Sequence, residues 1–152
     1  MKPTIHILSL LLFLIFTGCS YHNGGETSLW GTWQLEKFTV NGEDFSEYNG
    51  QCFWKFQSYV ILIQEVDEDM WEEKDHYGTY QLERDQNILI LDFTHYDNSA
   101  ASGSVLYTPP EYLGITAEIA RLEILELNAR KLRLRYISQD NNEYIYSLSF
   151  RF

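Results

Sequence analysis

Lys131-Leu132-Arg133-Leu134-Arg135-Tyr136 and Tyr144-Ile145-Tyr146-Ser147-Leu148-Ser149-Phe150-Arg151-Phe152 decide the fold class. In the first run Leu132, Leu134 and Tyr136 alternate with Lys131, Arg133 and Arg135. In the second, Tyr144, Tyr146, Leu148, Phe150 and Phe152 alternate with Ile145, Ser147, Ser149 and Arg151. A strand sends successive side chains to opposite faces, whereas a helix would put neither set on one side. Asp140-Asn141-Asn142 lies between the runs and fits a hairpin turn, because these side chains hydrogen-bond their own backbone. The two runs are therefore expected as paired antiparallel strands.

The same rhythm extends upstream. Leu29 to Val40 ends at Asn41-Gly42, a strong turn signal. Cys52, Trp54 and Phe56 alternate with Phe53, Lys55 and Gln57, and Tyr59, Ile61 and Ile63 with Val60, Leu62 and Gln64. Tyr77 to Leu82 and Asn87 to Tyr96 repeat the pattern, and Pro109-Pro110 excludes a central strand between them and Ile119. Ile119 to Leu127 breaks phase, so the run is either a bulged strand or a short helix over 118–126. Eight or nine strands joined by connections too short for parallel crossovers imply an all-β antiparallel fold. A single up-and-down barrel hides its own edges and is the expected architecture, with a β-sandwich as the alternative.

Trp30-Gly31-Thr32-Trp33 contains Gly-x-Trp, which resembles the signature at the start of lipocalins and of small lipocalin-like lipoproteins. Ile124 to Leu127 followed by Lys131 to Tyr136 is similar to the same group in rhythm, and the likeness spans roughly 29–152. The resemblance implies that Trp33, with Gly31, closes one barrel end. It also implies an Arg from a late strand, Arg151 or Arg135, stacked or bonded beside that Trp. The motif is structural in that family and carries no catalysis.

The N-terminal residues read as an address. Lys2 is followed by an apolar run from Ile7 to Phe16, broken only by Ser9, and then Thr17-Gly18-Cys19. This is the pattern of a signal peptide, and the run is about half the length a membrane-spanning helix needs. Phe16-Thr17-Gly18-Cys19 resembles the lipobox of bacterial lipoproteins, with Phe where Leu is usual. The resemblance implies cleavage before Cys19, lipidation of Cys19 and membrane attachment through palmitate-type chains, since more than one chain anchors firmly. Residues 1–18 are then a leader, 19–28 the lipidated Cys and a flexible tether containing Asn23-Gly24-Gly25, and 29–152 the domain. Ser20 rather than Asp follows Cys19, which favours the outer membrane of a Gram-negative envelope.

The chain holds 22 Asp+Glu against 11 Lys+Arg, and losing Lys2 with the leader leaves 10, a net charge near −12. Phosphate-backbone recognition needs the opposite sign, so nucleic-acid partners are excluded. A negative protein also gains nothing from anionic headgroups, so the lipid is expected to supply the attachment. With Cys19 lipidated, Cys52 has no disulfide partner. In the run Cys52-Phe53-Trp54 it reads as a buried apolar filler rather than a catalytic thiol.

Glu65, Asp67, Glu68, Asp69, Glu72, Glu73 and Asp75 crowd one stretch, opposed by Lys74. The expected role is a solvated hairpin tip. Asp67, Asp69 and Glu72 are weak candidates for a hard cation, but the glycine of a calcium-binding loop is missing. Met70 and Trp71 in its middle suit a lid folded over a barrel mouth. His22, His76 and His95 show no metal-ligand spacing, and no nucleophile elbow, phosphate loop or dinucleotide fingerprint occurs. The chain is therefore expected to be neither an enzyme nor a cofactor protein.

The 4 Trp, 11 Tyr and 9 Phe are expected mostly in the core, since an eight-stranded barrel is just wide enough for its own side chains or one small ligand. The inward set is Trp33, Leu35, Trp54, Phe56, Ile61, Ile63, Tyr80, Leu89, Leu91, Phe93, Leu134, Tyr146, Leu148 and Phe150. Any cavity should be shallow and near one mouth, with Trp71, Tyr80 and Tyr146 as candidate ligand contacts. The expected function is an anchored, non-enzymatic lipoprotein holding a small apolar or aromatic ligand. The alternative is a structural or partner-binding envelope protein that uses the acidic 65–75 loop.

Overall fold

The computed structural model describes residues 29–67, 72–94 and 107–152, with residues 67 and 72 as backbone only. The leader, Cys19, the tether, Asp69, Met70, Trp71, His22 and His95 lie outside these, as do the side chains of Asp67 and Glu72.

Among the described residues nine strands form one antiparallel sheet: β1 (Gly31–Val40), β2 (Glu43–Asp44), β3 (Cys52–Gln57), β4 (Val60–Asp67), β5 (Glu72–Glu83), β6 (Ile88–Asp92), β7 (Ile119–Leu127), β8 (Lys131–Ile137) and β9 (Glu143–Phe150). Their order is β2-β1-β3-β4-β5-β6-β7-β8-β9, and β1 also pairs with β9. That pairing, from Trp33↔Phe150 to Val40↔Tyr144, closes eight strands into a barrel and removes the sandwich alternative. Strand β2 is an extra rung on β1, joined by the Asn41-Gly42 turn, where both residues have positive φ as a two-residue hairpin demands.

β1 carries the barrel's main irregularity. Its pairing with β9 shifts register between Leu35 and Lys37, leaving Glu36 as a bulge. Before the bulge β1 pairs with β3, ending at Leu35↔Cys52; beyond it, Thr39 and Val40 pair with β2. Tyr48 bridges the gap where β1 and β3 part: its hydroxyl donates to the Leu35 carbonyl and accepts from the Cys52 N–H at 3.2 Å. The phenol thus satisfies two backbone groups that the diverging ladder leaves open. The phase break in β7 is also a bulge, between Ile124 and Glu126, so the run is a strand and not the competing helix.

The barrel has two unlike ends. The closed end collects the start of β1, the end of β9 and the β3–β4, β5–β6 and β7–β8 hairpins. Leu29 and Trp33 plug it, with the Trp33 Nε1 donating to the Leu29 carbonyl at 2.8 Å. The open end collects the 41–51 loop, the β4–β5 hairpin, the β8–β9 turn and the 107–118 segment.

Between them the interior is filled. Every residue of the expected inward set is buried except Phe150, which ends β9, is 38% exposed and stands edge-on to Trp33. Phe38, Cys52, Leu113, Ile115, Ala120, Leu122, Leu132 and Tyr136 complete the core.

Candidate functional site

A mouth needs inward positions that are not closed by apolar side chains. The alternation of β3, β4 and β5 supplies them at the open end. Inward positions run Phe56, Trp54, Cys52 along β3, Ile61, Ile63, Glu65 along β4, and Tyr80, Gly78, His76, Lys74 along β5. The acidic stretch is therefore not a detached tip. Strand pairing continues to Asp67↔Glu72, so the pleat turns Glu65 and Lys74 inward while Glu73 and Asp75 stay on the outer face.

A segment around Pro109–Ile115 lies over the rest of the mouth. Leu113 and Ile115 are fully buried and act as a stopper. Tyr146 holds this segment from below by donating its hydroxyl to the Leu113 carbonyl at 2.6 Å. Gly114, with φ +78°, lets the chain pass directly over the Tyr144 ring, where a Cβ would overlap ring atoms. His76 ties the other side. Its Nδ1 lies 3.0 Å from the Thr108 carbonyl and its Nε2 3.0 Å from Glu65 Oε1. Both ring nitrogens are thus engaged, and the imidazole works as a strap between the stopper segment and the β4 rim.

Beside the stopper is a recess of about 360 Å3. Cys52, Glu65, Lys74 and Tyr112 line its inner side; Phe45, Tyr48 and Gln51 from the 45–51 loop line its outer side. The loop is pinned by Gln34 Nε2 donating to the Gly50 carbonyl at 2.7 Å and Val66 N–H donating to the Gln51 carbonyl at 2.9 Å. Phe45 stacks on Phe38 with centroids 4.8 Å apart, which joins the recess wall to the core.

The recess chemistry is that of a hydrogen-bonding cup. Tyr112 is partly exposed, and its phenol neighbours Cys52 and Glu65 in the recess. Burial, then the neighbouring Cys52 and Glu65, push the Tyr112 phenol well above its ordinary range. Burial above all pushes the Cys52 thiol up to about 12, with the Glu65 charge adding to it. At neutral pH Cys52 is therefore a protonated thiol and not a nucleophile. Among the described residues no three His, Cys, Asp and Glu side chains gather as a metal set.

The sequence-expected residues fall as follows. Tyr80 lies toward the closed end, edge-on to Phe56 at 5.0 Å, with its hydroxyl on the Ser58 carbonyl at 2.8 Å. Tyr146 is core, beneath the stopper. Neither lines the recess, because both hydroxyls are held by backbone carbonyls within the barrel. Gly31 and Trp33 meet at the closed end, where the ring against Trp33 is Phe150, at 5.2 Å and 75°. The Arg151 guanidinium goes instead to Gln34 Oε1 at 2.7 Å and Glu36 Oε1 at 2.9 Å, and Arg135 to Glu123 and Glu143. Tyr48, Lys74 and Tyr112 were not singled out from the sequence. Continuing the period-two count through Glu65 and Lys74 is the signal that finds the rim.

A closed eight-stranded up-and-down barrel with a plugged end and a polar recess at its mouth is the architecture of small-ligand carriers. The chain belongs to the lipocalin-like domain family, whose profile matches residues 14–142. It is similar in structure to a protein of Bacteroides eggerthii, with 18% identity, a TM-score of 0.59 and coverage of 81% of this chain and 99% of the other. It is also similar to a lipocalin-like protein of Bacteroides uniformis, with 19% identity, a TM-score of 0.55 and coverage of 82% and 99%. No curated protein matches the sequence.

Proposed function

We propose that this chain is an envelope-anchored, non-enzymatic binding lipoprotein. In this reading Cys19 carries the lipid and residues 20–28 the tether. The barrel mouth holds one small aromatic or apolar ligand that carries a hydrogen-bonding group. The observation that carries the ligand part is the recess. Its volume of about 360 Å3 lies within the range of small-molecule sites. It also pairs the Phe45 and Val66 surfaces with the polar ends of Glu65, Lys74 and Tyr112. The filled interior argues against a ligand threaded along the barrel axis.

Native mass spectrometry of the mature protein from its own host tests this. One retained small molecule, lost when Glu65→Gln and Tyr112→Phe are combined, is the expected result. The bare polypeptide mass in both forms sinks the ligand reading. Palmitate labelling that survives Cys19→Ser sinks the anchor. Partner binding is the second reading, favoured by the acidic outer rim of Glu43, Asp44, Glu73 and Asp75. It predicts a salt-sensitive complex with a basic protein.

A further inference from the structure

The two ends of the barrel differ in charge as well as in closure. The open end gathers Glu43, Asp44, Glu47, Glu65, Glu73 and Asp75 against Lys74 and Lys37, the latter paired with Asp44 at 3.6 Å. The closed end places Lys55, Arg84, Arg130 and Lys131 against Asp85 and Glu126. Glu83 at that end is held by Arg121 at 2.6 Å, and Arg151 reaches back to Glu36.

The same closed end exposes large rings. Trp30 is 47% exposed, Tyr59 66% and Phe152 80%. They are neighbours. One shallow depression is lined by Trp30 with Lys55 and Gln57, and the next by Tyr59 and Val60 with the same Lys55 and Gln57. Phe152 lies beside them, its carbonyl accepting from the Thr32 N–H at 2.7 Å. The core does not need these rings, since Leu29 and Trp33 already plug this end.

We propose that the closed end is a docking surface for an anionic lipid bilayer. Trp30, Tyr59 and Phe152 enter the headgroup region while Arg84, Arg130 and Lys131 meet lipid phosphates; the Lys55 ammonium donates to Gln64 Oε1 at 2.7 Å and stays out of that set. Trp and Tyr settle at bilayer interfaces because their rings are apolar and their tips polar. The negative net charge does not oppose this. Surface charges act over about 8 Å at physiological salt, and strands of eight residues set the acidic end roughly 20 Å or more away. The chain also enters at Leu29, at this end. A ten-residue tether from Cys19 spans at most about 35 Å, which keeps this end near any lipid carried there. Docking so leaves the recess facing away from the membrane, open to ligand. The inference rests on the barrel alone and does not require lipidation.

Residues 29–152 suit the test, because every described strand and the whole core cluster lie within them. The protein is sedimented with vesicles of equal parts phosphatidylglycerol and phosphatidylethanolamine, and separately with phosphatidylcholine vesicles. Binding to the anionic vesicles is expected, weakened more than about tenfold by Arg130→Glu with Lys131→Glu and unchanged by Glu43→Gln with Asp44→Asn at the open end. Brominated lipid should quench tryptophan fluorescence, and Trp30→Phe should abolish that quenching. Near-UV circular dichroism shows that each variant keeps its core. Absent or equal binding to both vesicles overturns the proposal. So does binding indifferent to the charge reversals, quenching that survives Trp30→Phe, or a Trp30-dependent dimer that binds no lipid. A ligand found or missing at the mouth leaves these results untouched, so the two readings fail separately.

Discussion

The Phe150 ring stands edge-on to Trp33, with centroids 5.2 Å and planes 75° apart, and fills the space beside Gly31 that a side chain would occupy. Gly31 has φ +123°, a region that L side chains rarely adopt, and a Cβ there would overlap the Phe150 ring and lie 3.0 Å from the Phe152 carbonyl. The Gly-x-Trp pair thus works as a notch and a plug with Phe150 seated over both. Gly31→Ala should cost about 2 kcal/mol or more in urea unfolding. Phe150→Ala should cost less than the roughly 3–5 kcal/mol of a fully buried Phe, since the ring is partly exposed. Part of the Gly31 penalty is the ring overlap, so the double variant should be more stable than the sum predicts by about 1 kcal/mol. Strict additivity would place the strain in the backbone alone.

The stopper hangs on Tyr146. Removing its hydroxyl leaves the buried Leu113 carbonyl unpaired, so Tyr146→Phe should destabilise by about 1–3 kcal/mol. Amide hydrogen exchange should quicken at residues 111–115 before it does in β6 or β8. His76→Ala should loosen the same segment from its Thr108 side. Unchanged exchange there in both variants would mean that the stopper is held by apolar packing alone.

Cys52 sets an alkaline limit. Burial disfavours the thiolate and pushes the folded thiol from an ordinary 9.0 up to about 12. Below about pH 9 both folded and unfolded chains keep the proton and the thiol adds no pH dependence. Above it the unfolded chain loses the proton first, so this group makes stability fall as pH rises from 9 toward 12. The raised Tyr48, Tyr112 and Tyr146 phenols push the same way at higher pH. Cys52→Ala should flatten the slope from pH 9 to 11 in denaturant titrations. Native protein at pH 8 should react with a thiol reagent only at the rate at which it unfolds.

Two buried indoles separate packing from hydrogen bonding. Trp33 donates to Leu29, whereas the buried Trp54 Nε1 has no hydrogen-bond partner among the described residues. Trp33→Phe loses ring volume and leaves an acceptor unpaired. Trp54→Phe loses volume but relieves an orphan donor, whose burial costs about 1–3 kcal/mol. Thermal unfolding should rank Trp54→Phe as the milder change, and the reverse order would show that Trp54 is satisfied by a group beyond those described.

Much of the barrel was legible because its signals are local. The alternation over Lys131–Tyr136 and Tyr144–Phe150 became β8 and β9, Asn41-Gly42 made its two-residue turn, and the phase break after Ile124 became a bulge. Each depends on neighbours in the chain, which a pleat or a turn reads directly. The Gly-x-Trp likeness implied an Arg beside Trp33, and nothing local in the sequence points to Phe150 as the ring seated there. The site was less legible. Glu65 and Lys74 look like part of a charge run until strand pairing carries them to the rim, and Tyr48 and Tyr112 come from loops whose positions no period predicts.

Composition, period and turn chemistry were enough by themselves to determine an all-β antiparallel chain with most of its inward residues. The tertiary structure decided which strand meets which, that β1 closes on β9, and that Tyr80 and Tyr146 serve the core rather than the mouth. It also decided how a uniformly acidic chain divides its charge. In the sequence Lys55, Arg84, Arg130 and Lys131 lie scattered among the acids; up-and-down connection brings their turns to one end and sends the acidic rim to the other. Register and strand direction join residues far apart in the chain, and a side-chain pattern read locally holds no record of that distance.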